Sequence, residues 1–212
     1  MPVQAIHCGD TAQLAERLRS GATSGSRRII GLVGPPGAGK STLAERLTQH
    51  LGHGSAIVPM DGFHLANTII DGTPLRERKG AIDTFDVGGY LSLLQRLREN
   101  EEDVVYAPTY RRGLEEPIAA SIAIPKSAAF VITEGNYLLA NHGPWERVRS
   151  YLDEVWFVEI PPETRVSRLI QRHIESGMEP AAAQAWAQGP DEANARYVES
   201  TKAYADVIVR CP

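Results

Sequence analysis

Residues 34–42 read GPPGAGKST and lie between the apolar run RIIGLV and the segment LAERLTQHL. The pattern G-x-x-x-x-G-K-[ST] demands a strand, a glycine-rich loop and a helix in that order, and both flanks comply. Residues 29–33 are a short β-branched run, while Leu43, Leu47 and Leu51 recur at the i, i+4, i+8 spacing of a buried helix face. Glycines in such a loop let backbone N–H groups turn inward onto phosphate oxygens. Gly34, Pro35, Pro36, Gly37, Ala38, Gly39, Lys40, Ser41 and Thr42 are therefore assigned to a nucleotide. Lys40 is placed to reach the β/γ-phosphates, and the Ser41 hydroxyl to ligate Mg²⁺.

The remaining pattern extends this unit. Residues 55–60 (SAIVPM), 128–133 (AAFVIT), 154–160 (EVWFVEI) and 206–209 (DVIV) read as further strands. Nearly continuous apolar runs of this kind are covered on both faces. Helical patterns over 87–98, 144–152, 162–176 and 180–204 lie between them. The alternation predicts an α/β, three-layer fold with a five-stranded parallel sheet, helices on both faces and ligands at the carboxyl ends of the strands. Within residues 103–126, VVYAPTYRRGLEEPIAASIAIPK breaks the rhythm and predicts two short strands, a small β excursion covering a substrate.

Asp10 followed by TAQLAERLRSG reads as an N-capped helix ending at Gly21, and ATSGSRR as a flexible joint. Residues 1–27 are accordingly an N-terminal helical extension, an add-on to one domain spanning 28–212. A chain of 212 residues, 42% of them hydrophobic, is long enough for a full core.

A net charge of −4 without a basic block argues against nucleic acid as partner. No apolar leader or membrane-length run is present, which leads to the expectation of a soluble, cytoplasmic protein with no membrane partner. Cys8 and Cys211 lack metal-ligand spacing and are read as reduced bystanders, unless the chain ends bring them together.

Chemistry is expected at the strand ends. The second strand runs into Asp61-Gly62-Phe63-His64, where a carboxylate facing the phosphate loop can take a proton from an attacking hydroxyl; the plainer reading of Asp61-Gly62 is a turn. The AAFVIT strand ends in Glu134, which can hold Mg²⁺ directly or through water, or be a solvated strand-end acid. Arg165, Arg168 and Arg172 share one helix face, suited either to a transferring phosphoryl group or to solvent.

The ordered series GPPGAGKST, MDGFH, RKGAIDTFD, VVYAPTY with EEPI, VITEGNYLL, RVSRLIQRH and YVESTKAYADVIV resembles the uridine kinase, phosphoribulokinase and bacterial pantothenate kinase group of P-loop kinases. The GPW after EGNYLL and the WFVEIPPE strand end resemble the branch of nucleoside/nucleotide kinase-like and fructose-transport-associated kinases. The likeness runs from about residue 28 to 209. It implies ATP and Mg²⁺ as cofactors and a small-molecule acceptor bearing an alcohol group.

By the same resemblance Asp61 is the catalytic aspartate, Glu134 the Mg²⁺-linked glutamate, and Arg165, Arg168 and Arg172 belong to a helical lid. Asp83 and Tyr110 fall where relatives touch the acceptor, with His64, Arg78, Lys79 and Arg112 as further substrate candidates. Turn capping and core packing are the plain alternatives for Asp83 and Tyr110. Arg111 stands where relatives often carry an acid, and Asn194 and Lys202 fall near the expected base site.

The guanine-selecting N/T-K-x-D pattern is missing, which favours ATP as donor, and so is an LSGGQ signature, which disfavours a transport ATPase. A water-using regulatory ATPase is the rival from another class. For the acceptor, a sugar such as fructose is favoured over pantothenate-like and nucleoside substrates, although Phe63, Phe85, Tyr106 and Tyr110 could cage a base. Relatives include dimers and tetramers, so the resemblance also admits a homo-oligomer.

Overall fold

The computed structural model describes residues 4–22 and 26–212. Its main sheet joins β1 (Gln4–His7), β2 (Arg28–Val33), β3 (Ser55–Pro59), β6 (Phe130–Gly135), β7 (Glu154–Glu159) and β8 (Val207–Arg210) in the spatial order β1-β8-β7-β2-β6-β3. All five pairings are parallel. The separate hairpin β4 (Val104–Arg111) and β5 (Glu116–Pro125) is antiparallel.

The helices are α1 (Thr11–Ser20), α2 (Lys40–Leu51), the single turn α3 (Asn67–Ile70), α4 (Val87–Glu99), α5 (Pro162–Glu175), α6 (Pro180–Gln188) and α7 (Pro190–Ser200). Side chains alternate across β2. Ile29 and Val33 enter one core with Tyr90, Leu94 and Phe157, whereas Ile30 and Leu32 enter a second with Leu47, Trp156 and Val158. All six β2 residues are consequently buried.

The sheet has six strands rather than the expected five. The short QAIH segment is too brief to read as a strand by pattern, but its backbone pairs in parallel with β8 from Gln4 to His7. The N-terminal segment thus contributes an edge strand to the main sheet. Leu14, Ala15 and Leu18 of α1 lie in the same core as Ile30 and Leu32. Asp10 precedes α1 but makes no side-chain cap. Residues 23–25 of the expected joint lie outside the described residues.

Cys8 and Cys211 are not reduced bystanders: they form a disulfide, their Cα atoms 5.2 Å apart. Pairing of β1 with β8 brings the two chain ends side by side, Cys8 donating its amide to Arg210. The long helix expected over 180–204 divides in two at Gly189-Pro190, because Pro190 has no N–H to continue the ladder and starts α7 instead. The segment expected as a helix over 144–152 forms 3₁₀ turns, Gly143–Tyr151.

Candidate active site

Strands β2, β3 and β6 deliver their carboxyl ends to one place. After β2 the chain turns through Gly37 and Gly39, both with positive φ (82° and 89°), a conformation costly to any side-chain-bearing residue. Lys40 then opens α2. Its Nζ is buried and donates to Gly34 O (2.8 Å), Pro35 O (3.2 Å) and Asn136 Oδ1 (2.8 Å). Burial pulls the ammonium pKa down, opposed by the charges of Glu134 and Asp61.

Ser41 Oγ donates to Glu134 Oε1 at 3.0 Å, joining the start of α2 to β6. Burial, with the Asp61 charge next, pushes the Glu134 carboxyl above the usual range. Such a carboxylate is relieved by a cation. Among the described residues no three His, Cys, Asp or Glu side chains gather as a metal cluster. Ser41 and Glu134 offer oxygen donors, the ligand type that Mg²⁺ takes beside water and phosphate.

Asp61 lies in the 3₁₀ turn Met60–Phe63 immediately after β3. The next residue, Gly62, lies under the hairpin, where an added Cβ would meet Pro108 O at 2.4 Å. A break in the β4–β5 register between Ala107 and Thr109 leaves Pro108, which has no donor, free for this approach. His64 Nδ1 meets Asp61 O at 2.7 Å, and its ring packs between Phe85 (4.0 Å) and Tyr110 (4.6 Å). Tyr110 donates to Glu115 (2.9 Å), Lys79 Nζ sits 5.4 Å from the Tyr110 centroid, and Arg112 Nη2 is 4.0 Å from Asp61 Oδ2.

These groups share one cavity of about 780 Å³, to whose wall α5 also contributes. Lys40, Ser41, Glu134 and Asp61 lie on its wall with Arg168 and Arg172, and Lys79, His64, Tyr110 and Arg112 do so as well. Arg165, Arg78 and Asp83 do not. Arg165 is buried and paired with Glu192 of α7, one guanidinium nitrogen being left without a partner. Arg78 and Asp83 close on each other at 2.6 and 2.5 Å on the surface.

Lys202 pairs with Glu159, away from this cavity, whereas Asn194 lines it and reaches Gly80 O at 3.4 Å. The proposed base cage does not assemble: Phe63 packs on Tyr90 in the core and Tyr106 is exposed.

Residues 29–211 match the model of the phosphoribulokinase/uridine kinase family. The chain belongs to this family. It is a P-loop kinase of the ATP-using kind, acting on a small-molecule substrate. Among solved structures it is similar to a "putative fructose transport system kinase" from Silicibacter sp. TM1040, at 34% identity and a TM-score of 0.83 over 93% of this chain and 98% of that one. Among relatives it is similar to "Uncharacterized protein YggC" of Escherichia coli K12, 36% identical over 86% of this chain and 77% of that protein. It is also similar to "Putative uridine kinase C227.14" of Schizosaccharomyces pombe, 31% identical over 87% and 83%.

Several cavity residues of this P-loop kinase escape sequence reasoning. Asn136, which holds Lys40, stands two residues beyond Glu134 and was marked only by that strand end. Asp191, bonded to His173 at 2.7 Å, and Trp186 come from separate helices whose approach no local pattern records. Among the described residues no helix is long and apolar enough to cross a membrane.

Proposed function

We propose that the protein transfers the γ-phosphate of Mg·ATP to a hydroxyl group of a small polar metabolite, with a sugar favoured over a uridine-like nucleoside or a pantothenate-like acid. One observation carries this reading. The Asp61 carboxylate lines one cavity with the phosphate-loop group of Lys40, Ser41 and Glu134 and with His64, Tyr110 and Arg112, the last 4.0 Å from it.

Asp61 takes the proton of the acceptor hydroxyl as it attacks the γ-phosphorus. Lys40 and the loop amides hold the β/γ-phosphates, and Arg168 and Arg172 neutralise charge on the transferring group. Mg²⁺, for which Ser41 and Glu134 fit, supplies charge shielding of those phosphates when bound. Arg165 supports the site from behind by fastening α5 to α7 through Glu192.

The test is ADP formation from Mg·ATP across monosaccharides, ribonucleosides, pantothenate and ribulose 5-phosphate, with the product weighed by mass spectrometry. Stimulation by one acceptor class is the expected result. Hydrolysis stimulated by none of them, at a rate matching ATP binding, would instead favour a water-using ATPase.

A further inference from the structure

The acceptor side of the cavity holds hydrogen-bond donors that no acid satisfies. Of the carboxylates on the cavity wall other than Asp61, the proposed base, Glu134 accepts from Ser41, Asp191 from His173, and Glu115 from both Tyr110 and the Gly113 amide. Glu77 is exposed at the rim. Asp83, expected where relatives touch the acceptor, is closed by Arg78 outside the cavity.

The cations are less occupied. Among the described residues the one acid within ion-pair distance of Arg112 is Asp61, at the 4.0 Å limit, and none lies within that distance of Arg172, whose buried Nε has no partner. These two guanidiniums face the same space: after burial, the Arg112 charge is the strongest influence on Arg172. Lys79 donates to Asn67 Oδ1 and Glu115 O, both at 2.6 Å, and an ammonium has a third proton to give.

A neutral polyol asks for acceptors as well as donors at its hydroxyls, whereas an oxyanion asks for clustered donors and is bonded best by guanidinium. Like charges gathered in a partly desolvated cavity are unfavourable until an anion joins them. ATP accounts for Lys40 and the lid arginines. Arg112, on the hairpin turn, and Lys79, on the loop before the hairpin, line the same cavity and are not among those phosphate-holding groups.

Resting on the reading of Asp61 as the base, we propose that Arg112 and Lys79 bind an anionic group carried by the acceptor itself. The substrate class is then a short hydroxy acid or sugar phosphate. Because Arg112 stands only 4.0 Å from Asp61, the attacked hydroxyl and the anionic group are a few bonds apart.

The experiment uses matched acceptors: glycerol, glycerate and glycerol 3-phosphate, and ribose, ribonate and ribose 5-phosphate. ADP formation gives kcat/KM with Mg·ATP, and titration of the protein saturated with a non-hydrolysable Mg·ATP analogue gives binding. Anionic members are expected to exceed their neutral partners by about tenfold or more in both readouts, as loss of a charged hydrogen bond implies. Arg112→Gln is expected to remove most of that preference by raising KM for the anions, leaving analogue affinity unchanged. Carboxylate against phosphate is decided by which anionic member leads.

Turnover of the neutral members at equal or higher kcat/KM overturns the anion site and leaves the kinase reading standing. A fall in kcat alike for every acceptor in Arg112→Gln also overturns it, assigning Arg112 to the transferring phosphoryl group. Transfer to no acceptor counts against the proposed reaction, and analogue-loaded protein that binds no anion counts against the site.

Discussion

Ser41 Oγ and Glu134 Oε1 meet at 3.0 Å across the gap between α2 and β6. Neither strand order nor helix phase alone creates this contact. It requires β6 to lie beside β2, so that the strand's last acid arrives where the phosphate loop ends. Substituting either partner tests the pair. Glu134→Gln should raise the Mg²⁺ concentration needed for half-maximal turnover and depress kcat by about 10² or more, with chelation by EDTA abolishing activity in both proteins. Equal Mg²⁺ dependence in variant and parent would remove Glu134 from the metal site.

Asp61→Asn should leave the fold and the ATP dissociation constant essentially unchanged while kcat falls by about 10²–10⁴, the usual size of a general-base contribution. Single-turnover kinetics with an active acceptor, beside nucleotide titration, separates the two quantities. Unaltered kcat would show that the carboxylate takes no proton.

Gly62→Ala should destabilise the protein by about 1–3 kcal/mol, since the new Cβ would stand 2.4 Å from Pro108 O and backbone, rather than a flexible side chain, must move. The strain acts directly beside Asp61. Thermal unfolding should show the loss, and activity should fall with it, because the hairpin and the base shift together. A variant with unchanged Tm would contradict the close approach.

Burial favours the neutral form of the His64 imidazole. Burial is the leading cause of its lowered pKa, and the Asp61 charge opposes it only in part. A folded-state pKa below the unfolded value of about 6.5 means that the unfolded chain binds the proton more readily. Stability from this residue is therefore complete above about pH 6.5 and is lost as pH falls below it. Tm measured from pH 8 to pH 5 should fall less steeply in His64→Gln than in the parent. Parallel curves would exclude this contribution.

Cys8–Cys211 ties positions 203 residues apart. Cross-linking so long a loop restricts the unfolded chain by about 5.3 kcal/mol in the chain-entropy account. Reduction by a dithiol should lower Tm, and Cys8→Ser should match the reduced parent and ignore the reductant. A parent protein insensitive to reductant would show that the strand pairing of β1 with β8 holds the chain end without the disulfide.

The strand, glycine loop and helix were legible because their geometry is local: the glycines, Lys40 and Ser41 lie within one short segment, and the strand and helix that hold them are strongly patterned. The core strands were legible for the same reason, being apolar on both faces. Asp61 and Glu134 could be singled out because strand ends in a parallel sheet converge on the ligand side.

Other features depend on partners distant in sequence. QAIH becomes a strand only because β8 offers it a free edge, and that same pairing brings Cys8 to Cys211. Arg165, Arg168 and Arg172 share a face by spacing, yet Glu192 captures the first while the others face the cavity. Asp83 was a candidate by position, but Arg78 takes it. The sequence by itself determined the nucleotide loop, the α/β class and the carboxylates at the strand ends, because local spacing encodes them. The tertiary structure alone decided which charges are free to meet a substrate, because an ion pair depends on which side chains the fold brings within reach.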